Sequence, residues 1–176
     1  MLRDARRARR VKADKVYLVG FMGSGKTTVA RALARRLDWQ ASDIDELIEQ
    51  REHEPVASVF ARHGEPYFRA VERAVLLEQL GARHVVVATG GGTFVDPQNR
   101  AAINRDGVSV WLDVPLERLI ARVPADGRRP LAADRAEFEQ LYASRRAAYE
   151  QAHHRIEGGR AGADAIVEEL ADWLET

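Results

Sequence analysis

The sequence predicts an α/β protein of three layers, in which a five-stranded parallel sheet lies between two layers of helices, with a mobile lid attached. Two observations support this fold. Short apolar segments alternate along the chain with segments whose apolar residues recur at helical spacing. In addition, a glycine-rich segment at Gly20–Thr28 follows the first predicted strand and opens the first predicted helix, which is the order of a phosphate-binding α/β unit.

Composition limits the classes of function. The chain has 176 residues, enough for one domain with its own core, which we place at residues 15–176. Lysine plus arginine and aspartate plus glutamate both number 27, and a net charge of zero argues against a broad surface for nucleic acid or an anionic membrane. Cysteine is absent, which excludes disulfides and cysteine-bound zinc. No apolar run approaches the ~18 residues of a membrane span, so we expect a cytoplasmic protein and a monomer.

Residues 1–14 form a basic segment ahead of this domain, with cationic side chains at Arg3, Arg6, Arg7, Arg9, Arg10 and Lys12. The segment lacks the apolar core of a secretory signal. A transit peptide and a nucleic-acid-binding arm are alternatives, but we favour a solvated, disordered tail.

The first element is a buried strand, Lys15–Val19, and the glycine-rich segment after it has the form G-x-x-x-x-G-K-T. This is the phosphate-binding loop (P-loop) of nucleotide-using enzymes, in which glycines let backbone N–H groups approach a phosphate. Lys26 would supply charge to the β- and γ-phosphates, and the Thr27 hydroxyl would ligate Mg²⁺. A plain glycine-rich turn is the alternative, and the strand–loop–helix order disfavours it. The predicted ATP-binding residues of this loop are Gly23, Ser24, Gly25, Lys26, Thr27 and Thr28.

Asp43 and Asp45 end the next predicted strand. Two carboxylates two residues apart point the same way in extended geometry, at the sheet edge where parallel α/β proteins bind ligands. One of them can instead cap the helix that begins near Glu46, and both roles can coexist.

Helices are predicted over residues 44–80, with breaks at Pro55 and at Gly64–Pro66. Arg69 and Glu72 are three residues apart on the last of them and can pair. On pattern alone this is an ordinary surface ion pair.

The clearest later strand, His84–Ala88, runs into three glycines, Gly90, Gly91 and Gly92. These glycines form either a plain turn or a place where the backbone approaches a ligand closely. Many P-loop enzymes carry a metal-organising aspartate at the end of such a strand. Here the strand ends in alanine and threonine, so Asp43 is the best-placed substitute.

A helix at 97–105, a strand at 108–112 and a helix at 115–122 come next. Residues 123–133 contain two prolines and a run of charge, and such a loop is either a solvated connection or a lid that brings cations over a phosphate. We predict a lid.

The following helix, opened by Asp134, carries Arg145 on the same stripe as Phe138 and Leu141. A buried arginine needs a partner, so Arg145 pairs with an internal carboxylate or faces a cavity that takes an anion. Arg146, about 100° further round the helix, is predicted to be solvated. A strand near 154–156, a helix at 163–174 and solvated histidines at 153 and 154 complete the chain.

These features together resemble the shikimate kinase family, within the nucleoside-monophosphate-kinase-like P-loop kinases. The resemblance covers Val16 to Tyr149. The loop is shared by many enzymes, but the D-x-D pair, the triple glycine and three separated arginines in this order are far more specific. The segments that carry it are Gly20–Thr28, Asp43–Asp45, Phe68-Arg69 with Glu72, Gly90–Gly92, Arg129–Leu131, and Arg145 with Tyr149.

The family transfers the γ-phosphate of ATP to the 3-hydroxyl of shikimate, a step toward chorismate and the aromatic amino acids. The resemblance implies that Lys26, Asp45 and Arg129 are catalytic, with Asp45 gripping the substrate hydroxyls and acting as the base. It implies that Thr27 and Asp43 serve Mg²⁺, Asp43 through water. It implies that Arg129 closes over the nucleotide phosphates and that Arg122 lies against the adenine. The implied shikimate-binding residues are Asp45, Arg69, Gly90, Gly91, Gly92 and Arg145.

Two alternatives remain open. A related small-molecule kinase, such as a gluconate kinase, also acts on a carboxylated polyol. A non-catalytic nucleotide-binding regulator would keep the loop but phosphorylate no acceptor, and the presence of Asp45, Arg69 and Arg145 speaks against it.

Overall fold

The computed structural model describes residues 11–122 and 135–176 and contains one five-stranded sheet. All neighbouring strands pair in parallel, in the order β2-β3-β1-β4-β5. The predicted α/β fold with a parallel sheet is confirmed. The strands are β1 (Lys15–Val19), β2 (Gln40–Asp43), β3 (Val85–Ala88), β4 (Val108–Asp113) and β5 (His154–Glu157).

Seven helices connect and follow these strands within the described residues. The longest, α3, is interrupted at Gly64, whose φ of 80° lies in the left-handed region that suits glycine. Pro66 then begins its second part, so the two helices predicted here form one kinked element. The helices are α1 (Lys26–Leu37), α2 (Ile44–Glu52), α3 (Val56–Gln79), α4 (Pro97–Asp106), α5 (Leu116–Arg122), α6 (Arg135–Tyr149) and α7 (Ala163–Glu175).

The core lies on both faces of the sheet. Alternate side chains of β1 point to opposite faces: Val16 and Leu18 pack with α1 and α7, whereas Tyr17 and Val19 pack with helices α2 to α6. Both faces are therefore covered, which is the arrangement that parallel sheets require. The carboxyl ends of β1, β2 and β3 adjoin one another and lead into the loop at Gly20, into α2 and into the triple glycine.

A buried polar network closes the opposite end of β1. Lys15 is fully buried, and its ammonium lies 2.6 Å from Asp106 Oδ2. The Tyr17 hydroxyl donates to the same oxygen at 2.6 Å, and Arg83 pairs with Asp106 at 3.1 Å. Burial alone would raise the pKa of Asp106, but these hydrogen bonds together lower it below its usual range. The network ties the amino end of β1 to the carboxyl end of α4.

Three sequence expectations are wrong in detail. Lys12 N–H donates to Leu174 O at 2.7 Å, so the end of the expected tail packs on the domain. Arg146 is not solvated: it pairs with Asp113 at 3.0 Å and lies over the Trp111 ring. His154 stacks on the ring of Trp173, with centroids 4.3 Å apart. In each case the partner is distant in sequence, so the periodicity of one segment cannot reveal it.

Residues 1–10 and the expected lid at 123–133, including Arg129, lie outside the described residues. Within the described ranges no helix combines the length and apolarity needed to cross a bilayer.

Candidate active site

The P-loop wraps around the ammonium group of Lys26. Its Nζ donates to the carbonyl oxygens of Gly20 and Phe21, each at 2.8 Å. Gly20, Gly23 and Gly25 all have positive φ, and a Cβ atom on Gly20 would lie 2.8 Å from Leu112 O, so other residues would be strained or would clash there. Gly25 caps α1 without a side-chain hydrogen bond. The positive end of α1 therefore opens onto the loop, as phosphate binding requires.

Asp43 serves two elements at once. Its Oδ1 accepts hydrogen bonds from the backbone N–H of Asp45 at 2.9 Å and of Glu46 at 3.2 Å, which caps α2. Its Oδ2 accepts a hydrogen bond from the Thr27 hydroxyl at 2.5 Å. The capping role and a place beside the P-loop threonine thus coexist in one carboxylate.

The triple glycine leaves space for side chains of three other elements. A Cβ atom on Gly90 would lie 3.0 Å from Asp45 Oδ1, and one on Gly91 would lie 3.0 Å from Arg145 Nη1. On Gly92 it would lie 2.5 Å from Arg69 Nη2. A side chain at Gly90 or Gly91 would therefore press on its neighbour, and one at Gly92 would require the Arg69 guanidinium to move, since Cβ contacts below 3.0 Å hardly occur.

Arg69 is held by Glu72, whose side chain is almost completely buried. Arg69 Nη1 donates to Glu72 Oε1 at 2.9 Å, and the Thr93 hydroxyl donates to Glu72 Oε2 at 2.9 Å. The pair is therefore no ordinary surface ion pair, because one carboxylate binds the arginine and the turn after the glycines together. Its geometry fixes the Arg69 guanidinium against Gly92.

Arg145 lies 6 % exposed on α6, with its guanidinium 5.6 Å from the centre of the Phe21 ring. Burial lowers its pKa, and the charge of Arg69 adds to that effect, while the neighbouring Tyr149 hydroxyl and the charge of Glu72 oppose it. No salt bridge joins Arg145 to a carboxylate among residues 11–122 and 135–176, and the Glu72 carboxylate is bound by Arg69 and Thr93. Of the two sequence interpretations, the structure matches a guanidinium that faces a cavity.

A cavity of about 520 Å³ joins these groups. Its wall includes the predicted residues Thr27, Asp43, Asp45, Arg69, Gly90, Gly91, Gly92 and Arg145. Met22 of the P-loop is also in the wall, whereas the predicted ATP-binding residues Gly23, Ser24, Gly25, Lys26 and Thr28 are not. Arg122, at the end of α5, contacts the loop through a hydrogen bond from Nη1 to Gly23 O at 3.3 Å. The wall of one cavity therefore includes both the Thr27, Asp43 and Asp45 oxygens and the two guanidinium groups.

Sequence reasoning missed several parts of this site. Phe60 and Phe68 form an apolar part of the cavity wall, with ring centroids 5.5 Å apart. Tyr149 was named with Arg145 among the segments that carry the family resemblance but was given no role, yet its hydroxyl donates to Gly91 O at 2.5 Å. Its place one turn after Arg145 was the available signal, because residues four apart on a helix are neighbours.

Comparisons with known proteins agree with this geometry. The family model described as shikimate kinase matches residues 22–175. A shikimate kinase of Persephonella marina is 40 % identical over 156 residues, which cover 88 % of this chain and 95 % of that protein.

Two solved structures have the same fold. Shikimate kinase from Acinetobacter baumannii in complex with shikimate has a TM-score of 0.85 and 33 % identity, covering 90 % of this chain and 91 % of the other. The crystal structure of shikimate kinase from Aquifex aeolicus has a TM-score of 0.83 and 33 % identity, covering 92 % and 96 %. With the family model matched over most of its length, this chain belongs to the shikimate kinase family.

Proposed function

We propose that the protein transfers the γ-phosphate of ATP to the 3-hydroxyl of shikimate, giving shikimate 3-phosphate and ADP. The observation that carries this proposal is the cavity in which Asp45, Arg69 and Arg145 meet the Thr27–Asp43 pair of the P-loop side. A carboxylated polyol is bound by arginine guanidinium groups, which donate two hydrogen bonds to its carboxylate, and by a protein carboxylate, which accepts hydrogen bonds from its hydroxyls. Phosphoryl transfer requires mainly positioning and positive charge.

On the nucleotide side, the backbone of Gly23 to Thr28 and the ammonium of Lys26 bind the phosphates. The Lys26 hydrogen bonds to loop carbonyls support this role, because they hold the charge inside the loop. Arg122 is assigned to the adenine end, in line with its contact to Gly23. Arg129 is assigned to the transferring phosphate from its sequence motif alone.

Mg²⁺ is the metal that this reaction class uses. Thr27 and Asp43 suit it, since a hydroxyl and a carboxylate oxygen meet here, and hard cations prefer oxygen ligands. When bound, the metal neutralises charge on the β- and γ-phosphates. No groups of three or more histidine, cysteine or acidic side chains suited to a metal occur among residues 11–122 and 135–176. This agrees with a cation shared between the protein, water and ATP.

On the acceptor side, Arg69 and Arg145 bind the carboxylate, and Asp45 binds the hydroxyls. As the acceptor oxygen forms its bond to the γ-phosphorus, the bond from that phosphorus to the ADP oxygen breaks. Asp45 takes the proton of the 3-hydroxyl. Gly90 leaves space for the Asp45 carboxylate beside the acceptor, since a Cβ there would lie 3.0 Å from Oδ1.

An ADP-release assay with a panel of acceptors tests this proposal. Shikimate should be phosphorylated, whereas gluconate, the acceptor of the alternative kinase class, should not be. Lys26→Met serves as the control for turnover that depends on the P-loop. Faster turnover of gluconate, or ATP binding without phosphorylation of any acceptor, would refute the proposal. A cytoplasmic location and a monomeric state stay predictions from the sequence.

A further inference from the structure

The hydroxyl of Tyr149 connects two parts of the candidate acceptor site. It donates to the carbonyl oxygen of Gly91 at 2.5 Å, and the Arg145 guanidinium, which lies against the same glycine, interacts electrostatically with the hydroxyl. A phenol has one proton to donate. With that proton directed to Gly91, its oxygen is left as an acceptor for Arg145.

The surroundings of Tyr149 make this arrangement rigid. The residue is 1 % exposed, and its ring lies 5.9 Å from that of Trp111. It follows Arg145 by four residues on α6, so their side chains lie on one face of the helix. Burial raises the pKa of Tyr149 to about 12, so the hydroxyl keeps its proton at neutral pH.

Arg145 has few other constraints on its direction. Its guanidinium lies over Phe21 and beside Gly91, where a Cβ atom would come within 3.0 Å of Nη1. A ring face attracts a cation but does not fix the orientation of a planar fork. The Glu72 carboxylate, whose charge also acts on Arg145, is itself held by Arg69 and Thr93. The Tyr149 hydroxyl, fixed on Gly91, supplies a polar neighbour on α6 itself that limits the directions open to the guanidinium.

We propose that Tyr149 is a positioning residue for the acceptor carboxylate: anchored on Gly91, its hydroxyl orients the Arg145 guanidinium for bidentate binding. This inference rests on the proposed function, in which Arg145 binds that carboxylate. Tyr149 itself touches neither substrate. Its effect on the reaction passes through Arg145.

Tyr149→Phe removes the hydroxyl and keeps the ring packing. Partners that orient metal-ligating side chains typically contribute 10- to 100-fold, and by the same reasoning we expect the KM for shikimate to rise by roughly that factor. The KM for ATP should change by less than about 2-fold, because the P-loop is not involved. A melting curve should show that the variant is folded.

The matched control is Tyr142→Phe, the same change seven residues earlier on α6. The Tyr142 hydroxyl accepts a hydrogen bond from Arg146 at 2.6 Å and lies 3.4 Å from Val114 O. It makes no hydrogen bond to Arg145 or Gly91 within the described residues. This variant should keep the wild-type KM for shikimate.

A double-mutant cycle distinguishes positioning from general packing. If Tyr149 acts through Arg145, then Tyr149→Phe should change the KM for shikimate by less than about 2-fold in an Arg145→Ala background. Additive effects, or a Tyr149→Phe enzyme with the wild-type KM, would overturn the inference. Equal losses for ATP and shikimate would also overturn it, as they indicate a structural role. The wild-type enzyme is measured first, because its failure to phosphorylate shikimate would overturn the proposed function itself.

Discussion

Gly92→Ala should weaken acceptor binding while leaving the fold intact. The added methyl group would lie 2.5, 2.6 and 2.7 Å from Nη2, Nη1 and Cζ of Arg69. Normal contacts need about 3.5 Å, so the guanidinium must move by roughly 1 Å. That movement takes the guanidinium out of the position in which Nη1 donates to Glu72 at 2.9 Å and in which, under the proposed function, it binds the acceptor carboxylate. A charge-assisted hydrogen bond contributes about 1.5–3 kcal/mol, so shikimate affinity should fall about 10- to 100-fold at ~1.4 kcal/mol per decade.

Stability should change little, because the clashing atoms are the mobile end of a long side chain and Gly92 has no positive φ. Isothermal titration with shikimate and a thermal melt on the same preparation measure the two quantities separately. Gly162→Ala is the control, since nothing lies within 4 Å of its added Cβ. Wild-type shikimate affinity in Gly92→Ala would refute the reasoning, and so would a melting temperature lowered by about 10 °C or more, which indicates a backbone clash.

Three further predictions concern other parts of the structure. Arg145→Ala should raise the KM for shikimate about 10- to 100-fold, with no large loss of melting temperature, because burial already disfavours this charge; Arg145→Lys should recover only part of the affinity. Asp43→Asn should raise the Mg²⁺ concentration needed for half-maximal activity. Asp45→Asn should slow turnover without changing that concentration, and a Mg²⁺ titration of both variants measures the difference. The lowered pKa of Asp106 stabilises the fold fully above the unfolded-state pKa of about 3.9, and this contribution is lost progressively as pH falls from there toward the lower folded-state pKa. Urea unfolding of Asp106→Asn should therefore depend less on pH between about 5 and 2 than that of the wild type.

Each of these has a contrary outcome. A large fall in melting temperature with unchanged shikimate affinity in Arg145→Ala would make that residue a structural ion-pair partner. Indistinguishable Mg²⁺ titrations of the two variants would contradict the assignment of Asp43 to the metal and Asp45 to the acceptor. Parallel pH profiles of wild type and Asp106→Asn would show that other carboxylates control acid stability.

The order of strands and helices could be predicted because each depends on local features. The β-branched run before Gly20, the helical spacing after it and the breaks at Pro55 and Gly64 act within a few residues. Asp43 was placed beside the P-loop on the rule that parallel strands end at one edge of the sheet. The 2.5 Å contact with Thr27 agrees with that placement.

The predictions that were wrong depended on contacts between distant segments. Arg146 was expected in solvent because its stripe of α6 is polar, but Asp113 and Trp111 of β4 are its partners. His154 looked like a surface histidine until α7 brought Trp173 against it. Pairings of this kind are set by how helices pack on the sheet, and the periodicity of one segment carries no information about its partner.

Asp43 joins the two halves of the candidate site thermodynamically. One of its oxygens holds the start of α2 and thereby Asp45, and the other binds the hydroxyl of the P-loop threonine. A ligand that interacts with one Asp43 oxygen changes the charge on the other oxygen and so the strength of its hydrogen bonds. Coupling between two binding sites is reciprocal in free energy. Bound nucleotide must therefore change the affinity for the acceptor by the same factor by which bound acceptor changes the affinity for the nucleotide.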